Sequence, residues 1–177
     1  MKNLLFITVI SLFSISCQAQ TFITKNGKIS FFSSTPMENI SAVNNQVVSV
    51  LDGKTGSFQF SVQITGFIFK KALMQEHFNE DHMESNKYPK ALFKGKVTDI
   101  SKVDLTKDGT YNVTASGDLT MHGVTNKVTV PGTISVKAGT VNASATFKVN
   151  VSDYKISAPA NVSNSIEIKV DCNYQPK

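Results

Sequence analysis

The stretch SFQFSVQI, residues 57–64, carries the pattern that decides the fold. Apolar side chains occupy every second position, at Phe58, Phe60, Val62 and Ile64, with Ser or Gln between them. Because successive side chains of a β-strand point to opposite faces, this alternation predicts a strand with one face in a core and the other in solvent. The stretches VNASATFKVNV (141–151) and SIEIKVDCNY (165–174) repeat the pattern.

Turn-forming dipeptides separate such runs, and together they predict about nine or ten strands. The dipeptides are Asn26-Gly27, Asp52-Gly53, Asp108-Gly109, Pro131-Gly132 and Ala138-Gly139. Short strands joined by tight turns leave sheet edges that need protection, and closure into a barrel removes those edges. We therefore predict an all-β fold, an antiparallel barrel of about eight strands, which is wide enough to hold one small ligand.

The segment 70–86 is the one long departure from this alternation. No β-branched residue occurs from Lys71 to Tyr88, and Leu, Met, Glu, Gln and Lys are frequent there, which favours helix. The apolar spacing is irregular, so the sequence predicts a short helical insertion near residues 70–86, made of two pieces. Its polar side chains are expected to face solvent.

The first nineteen residues differ from the rest, with Lys2, the apolar run LLFITVISLFSIS and then CQAQ. This pattern is typical of a secretory signal peptide, and small residues at Cys17 and Ala19 predict cleavage after Ala19. The rest, residues 20–177, is long enough for one domain with a sizeable core. A periplasmic or secreted protein is expected, and lipidation at Cys17 stays open as the alternative.

The number and spacing of charged residues indicate which classes of partner the protein binds. The formal net charge is +5, and every basic residue is a Lys, spread singly along the chain. Nucleic-acid sites favour Arg and dense basic clusters, so no nucleic-acid partner is predicted. Contact with an anionic membrane surface and a homodimer stay open. Cys172 alternates with Val170 and Ile168, which predicts a buried structural thiol.

The stretch HFNEDHMESNKYP, residues 77–89, is the candidate for metal or acid–base chemistry. On a helix His77 and Asp81 share a face, whereas His77 and His82 diverge. The chain has no HExxH or G-x-S-x-G motif, so a solvated polar face is favoured and no enzyme, catalytic residue, metal or cofactor is predicted. A metal-dependent hydrolase using His77, Asp81 and His122 stays open as an alternative.

Three longer stretches resemble the YceI-like family of exported bacterial proteins. They are ALMQEHFNEDHMESNKYPKALFKGKV (72–97), YNVTASGDLTMHGVTNKVTVP (111–131) and ATFKVNVSDYKIS (145–157). The shared features are KYP before a strand that contains Phe, and then G-x-L-T-x-H-G-V-T at residues 117–125. One departure is the absence of the Arg that many members carry before the late D-[FY]-x-I motif, where this chain has Asn150, Val151 and Ser152.

The resemblance implies a lipocalin-like barrel with an elongated apolar cavity that binds a long-chain lipid, such as a polyisoprenoid, a quinone or a fatty-acid-like molecule. Twelve Phe and five Met without Trp suit such a cavity, although ordinary core packing explains them equally well. A ligand-free structural or stress protein with a solid core therefore stays open. The predicted ligand-binding residues are Phe58, Phe60, Val62, Ile64, Phe67, Phe69, Leu73, Met74, Phe78, Met83, Phe93 and His122.

His122 has two interpretations. It could bond a ligand headgroup, or it could brace the turn at Gly123, and the brace is favoured because the histidine stands beside a Gly turn.

Overall fold

The computed structural model describes residues 21–34, 39–159 and 162–177. The predicted signal peptide and Cys17 lie outside these residues. The described part contains nine strands: β1 (Thr21–Ser33), β2 (Ile40–Asp52), β3 (Ser57–Gln63), β4 (Ile68–Phe69), β5 (Lys90–Val97), β6 (Gly109–Met121), β7 (Val124–Lys137), β8 (Thr140–Asn150) and β9 (Ser165–Pro176).

Eight of the strands form a closed antiparallel barrel. β1 pairs with β9 on one side and with β2 on the other, which closes the order β1-β2-β3-β5-β6-β7-β8-β9 into a ring. The two-residue β4 pairs with the start of β2, where Phe69 lies opposite Ala42. The predicted all-β barrel is confirmed, and closure leaves the eight ring strands without a free outer edge strand.

The helical insertion lies between β4 and β5. Helix α1 (Ala72–His77) continues directly into a π-helical turn, Phe78–His82. The predicted insertion is confirmed, but it is one continuous segment because the backbone at Phe78 stays right-handed helical. Single 3₁₀ turns occur at Ile64–Gly66, Ile100–Lys102 and Val151–Tyr154. Within the described ranges, every helix is too short or too polar to cross a membrane.

Two of the five predicted turns are wrong. Asn26-Gly27 lies inside β1 and Pro131-Gly132 lies inside β7, whereas the other three dipeptides lie at strand ends. Gly27 is needed for close approach, because a Cβ there would lie 2.4 Å from Cys172 Sγ. Pro131 is tolerated because the β7–β8 ladder begins only at Gly132, so its missing N–H leaves no gap in that ladder.

One end of the barrel interior is tightly filled. We call it the packed end; it is formed by Phe22, Val47, Val136, Val141 and Cys172, each at most 4 % exposed. Beside it Tyr174, which is also buried, shares a 2.7 Å hydrogen bond between its hydroxyl and Ser49 Oγ. Burial raises the pKa of the Cys172 thiol to about 12 and also raises that of Tyr174. The predicted structural role of Cys172 fits this environment.

Candidate functional site

A cavity of about 580 Å³ occupies the barrel interior beyond the packed end. All eight ring strands contribute to its wall, which is almost entirely apolar. Inward-facing side chains such as Phe60, Phe147 and Ile168 are only partly buried, because they face this empty space and not another side chain. The barrel is therefore hollow over this part of its length.

Small side chains on β5, β6 and β8 leave room for the cavity. Ala91, Ala115, Ala143 and Ala145 all line the cavity. Aromatic rings line another part: the Phe58 and Phe93 rings stack with centroids 5.1 Å apart, and Phe60 contacts Phe58 edge to face at 5.5 Å. The wall thus combines flat rings with methyl groups and offers few polar atoms.

A second aromatic cluster joins the insertion to the barrel. Phe78 lies 5.0 Å from Phe69, 5.6 Å from Phe31 and 5.6 Å from Phe67, measured between ring centroids. Met83, from the end of the insertion, is 5 % exposed and also lines the cavity. The apolar residues threaded through the charged stretch 77–89 therefore form part of the wall, as the sequence predicts.

The cavity reaches the surface at the end opposite the packed end, which we call the mouth. Its border is formed by residues of the insertion and of the connections next to β2 and β9: Ile40, Met74, His77, His82, Ser157, Pro159 and Val162. Ser33 lines the wall nearby, and its Oγ is buried without a hydrogen-bond partner in the part of the chain that the structure describes. Among the described residues of this border, the two histidines are the only titratable side chains.

The structure places ten of the twelve predicted ligand-binding residues on the cavity wall. They are Phe58, Phe60, Val62, Ile64, Phe67, Phe69, Met74, Phe78, Met83 and Phe93. Leu73 lies off the wall and is 61 % exposed, because it points outward from α1 while Met74 points inward. His122 also lies off the wall. That the ten residues bind a ligand stays a prediction.

His122 braces the turn between β6 and β7. His122 and Gly123 have φ of 52° and 75°, the left-handed pair that a two-residue hairpin turn needs. The His122 Nδ1 lies 3.1 Å from Tyr154 O, and its Nε2 lies 3.1 Å from a Glu84 carboxylate oxygen. Since both bonds go to protein atoms, the favoured bracing interpretation agrees with this geometry.

The stretches that carry the family resemblance meet around this turn. The Tyr88 ring of KYP contacts the His122 ring with centroids 4.6 Å apart, and a Cβ on Gly123 would lie 2.7 Å from Tyr88 Cε1. The insertion also contacts the third stretch, since His82 Nδ1 lies 2.9 Å from Ser157 O. Sequence spacing alone gave no signal for these contacts, because the residues are 32 to 75 positions apart.

The residues of the metal alternative do not assemble. His77 Nδ1 and Asp81 Oδ2 lie 2.6 Å apart, as the i, i+4 spacing predicts. His122, however, pairs with Glu84. Among the described residues no group of three His, Cys, Asp or Glu side chains is placed to hold a metal ion. The hydrolase alternative therefore has no supporting geometry in this part of the chain.

Several wall residues were missed as candidates although their pattern was visible. Phe147, Ile166, Ile168 and Val170 alternate in β8 and β9 and line the cavity. The same period of two that identified Phe58 and Phe60 applies to them. What the alternation could not show is whether an inward side chain meets empty space or a packed neighbour.

A closed antiparallel barrel with an apolar interior cavity that opens at one end defines a lipocalin-like β-barrel. The chain belongs to the YceI-like family, because the model of the YceI-like domain matches residues 14–174. No curated protein matches the chain significantly.

Solved structures show the same fold. A polyisoprenoid binding domain from Saccharophagus degradans implicated in plant cell wall breakdown is similar with a TM-score of 0.79 and 12 % identity, covering 90 % of this chain and 100 % of that one. Burkholderia cenocepacia BcnA is similar with a TM-score of 0.68 and 19 % identity, covering 83 % of this chain and 95 % of that one. At these identities the likeness supports the fold alone.

Proposed function

We propose that this protein sequesters or carries one long-chain apolar or amphiphilic molecule inside its barrel. The observation that carries the proposal is the apolar cavity of about 580 Å³, open at the mouth. The similar fold of a polyisoprenoid binding domain supports a polyisoprenoid or a molecule of comparable length. A solid-core structural protein fits less well, since bulky side chains do not fill this part of the barrel.

Apolar contact alone is sufficient for tight binding of a long chain. Each buried CH₂ group contributes roughly 0.8 kcal/mol, so several groups inside the cavity outweigh the cost of ordering the ligand. Met74 and Met83 on the wall adapt their shape to irregular ligands, while the Phe rings offer surfaces that need no hydrogen-bond partner. The protein would act by shielding the chain from water, without catalysis.

The chemistry of the wall favours an uncharged headgroup. The wall residues of the described part include no Lys, Asp or Glu, and their only titratable side chains other than Tyr174 are the two histidines at the mouth. A buried carboxylate or phosphate without a counter-ion costs several kcal/mol. A hydroxyl, amide or quinone oxygen avoids this cost, and rotation of the Ser33 side chain would offer it a hydrogen bond.

The protein is proposed to work outside the cytoplasm, in the periplasm or after secretion. The support is the run of Lys2, the apolar core and the small residues before Gln20. The N-terminal sequence of protein isolated from fractionated cells tests this. A chain beginning at Gln20 is expected, whereas a lipid-modified Cys17 or an intact Met1 in mature protein would each contradict cleavage after Ala19.

Extraction of the purified protein with organic solvent, followed by mass spectrometry, tests the binding function. We expect a co-purifying long-chain molecule, or stoichiometric uptake of added polyprenyl quinone by stripped protein. Repeated absence of both would reject the proposal. The variant Ala143→Phe, which places a ring inside the cavity, is the negative control, because the same extract from it should contain less ligand.

A ligand series tests the headgroup. An alcohol, a primary amide, a carboxylic acid and a phosphate that share one alkyl chain are compared for affinity. The alcohol and the amide should bind at least about tenfold more tightly than the two anions. The variant Ser33→Ala should weaken the alcohol and leave the plain hydrocarbon unchanged. Equal or tighter binding of the anions would contradict an uncharged headgroup without affecting the binding function itself.

A further inference from the structure

The wall of the barrel is incomplete between β7 and β8. Their ladder pairs only residues 132–137 of β7 with residues 140–145 of β8, so it does not extend beyond Gly132 toward the start of β7. The rest of β7, residues 124–131, pairs only with β6, and residues 146–150 of β8 pair only with β9. We call this unpaired stretch the seam. Where strands of the ring are paired, opening the wall would break ladder hydrogen bonds, whereas at the seam no ladder joins β7 to β8.

The chain that follows β8 covers the open end of the seam. Residues 151–159, the seam segment, begin with the 3₁₀ turn Val151–Tyr154, which contacts β7, and continue to Ser157, whose carbonyl oxygen contacts His82 of the insertion. Its Val151, Tyr154 and Ile156 are at most 8 % exposed, and Val151 and Ile156 line the cavity. The segment is therefore a piece of cavity wall that is not a strand.

Three side chains hold the seam segment, and each bonds a backbone carbonyl oxygen. Asn126 Nδ2 donates to Asp153 O over 2.9 Å. The ring nitrogens Nδ1 of His122 and His82 lie 3.1 Å and 2.9 Å from the carbonyl oxygens of Tyr154 and Ser157. These bonds are partly or fully exposed, which favours local opening of the segment.

The seam and the mouth are continuous, because Ser157 and Pro159 of the seam segment border the mouth. Displacement of the segment would extend the mouth sideways between Val128 and Val130 of β7 and Phe147 and Val149 of β8, which line the cavity on either side. A long flexible chain could then enter from the side instead of threading end-on through the mouth.

We propose that the seam segment is a gate, and that ligand enters and leaves the cavity by its displacement from β7. The inference rests on the proposed binding function. A gate of this kind changes the rates of ligand entry and exit together and leaves the equilibrium affinity unchanged, since the closed complex keeps the same wall contacts.

Stopped-flow binding of a long-chain fluorescent polyene alcohol tests the gate. Asn126→Ala removes one of the three bonds, so its association and dissociation rates should both rise about fivefold, with Kd unchanged within about twofold. Asn142→Ala is the matched control, because Asn142 makes side-chain hydrogen bonds of 2.7 Å and 2.9 Å to Asp171 and Asn173 on the outer face, away from the seam. Its rates should equal those of the unaltered protein.

Locking the segment gives the opposite change. The double variant Asn126→Cys and Asp153→Cys, joined by oxidation or by a short bis-maleimide, should take up the polyene alcohol at least tenfold more slowly. Reduction of the oxidised form should restore the rate. Uptake by the locked protein at the unaltered rate, or a change in Kd without a change in rates for Asn126→Ala, would overturn the gate. An unaltered protein that fails to bind the probe at equilibrium would instead reject the binding function.

Discussion

The two halves of the barrel interior are built from the same alternating strands, yet one is solid and the other hollow. At the packed end Phe22, Val47 and Val141 are at most 1 % exposed. Beyond it, Phe58, Phe60 and other inward side chains border about 580 Å³ of space. The difference shows that inward orientation and burial are separate properties: strand geometry sets the first, and the size of the opposing side chains sets the second.

The largest expected effect is on stability at the packed end. Phe22→Ala should lower the free energy of unfolding by about 3 to 5 kcal/mol, because it removes a fully enclosed ring. Phe60→Ala should lower it by less than about half as much, since part of that ring already faces empty space. Urea denaturation of ligand-free protein measures both. Equal losses would mean that the hollow half is filled in solution.

The second prediction concerns the loss of stability when a side chain is added where strands approach closely at the packed end. Gly27→Ala would place a Cβ 2.4 Å from Cys172 Sγ and 3.2 Å from Val47 Cβ, which should destabilise the fold by about 1 to 3 kcal/mol. Adding Cys172→Ala removes the sulfur and should recover part of the loss. A double-mutant cycle by chemical denaturation measures this coupling. Strictly additive losses would show that the contact between Gly27 and Cys172 is not the cause.

A graded loss of stability is expected with alkaline pH. Burial raises the pKa of the Cys172 thiol from 9.0 to about 12, and it also raises the pKa of Tyr174. The unfolded chain therefore loses these protons at a lower pH than the folded protein does. Stability should be complete below about pH 9 and should fall as the pH approaches 12. Unfolding curves between these limits test this, and Cys172→Ala should show a shallower fall.

The smallest change in stability is expected from filling the hollow half. Ala143→Phe projects a ring into the cavity, so the free energy of unfolding should change by less than about 1.5 kcal/mol while uptake of the polyene alcohol falls. Ala42→Phe makes the same exchange at a position that is 2 % exposed and lies off the cavity wall, and it should destabilise strongly. Similar stability losses for the two variants would contradict the contrast between filled and empty interior.

Much of the wall could be predicted from sequence because a strand fixes the direction of every second side chain. Five of the ten predicted residues on the cavity wall lie in strands and were found for that reason, whereas the other five lie in helical turns or connections: Ile64, Phe67, Met74, Phe78 and Met83. The prediction that Leu73 lines the cavity was wrong because a short helix with irregular apolar spacing does not fix which of its faces turns inward. The turn predictions at Gly27 and Pro131 failed because the reasons for these residues lie on neighbouring strands. Gly27 makes room for Cys172 of β9, and Pro131 lies just outside the β7–β8 ladder.

The contacts around His122 were beyond sequence reasoning, although the residues were recognised. Tyr88, His122 and Tyr154 belong to three separate stretches, and no periodicity links them. Only the closed ring of strands brings the insertion, the β6–β7 turn and the seam segment to one place.

The sequence by itself determined an all-β chain with a helical insertion, and it indicated which side chains of the strands face inward, because alternation with a period of two is a local property of extended backbone. The tertiary structure decided where that interior is solid and where it is hollow, and where the wall lacks a ladder. These features depend on which side chains meet across the barrel and on how far neighbouring strands stay in register, and both are set by residues distant in the chain.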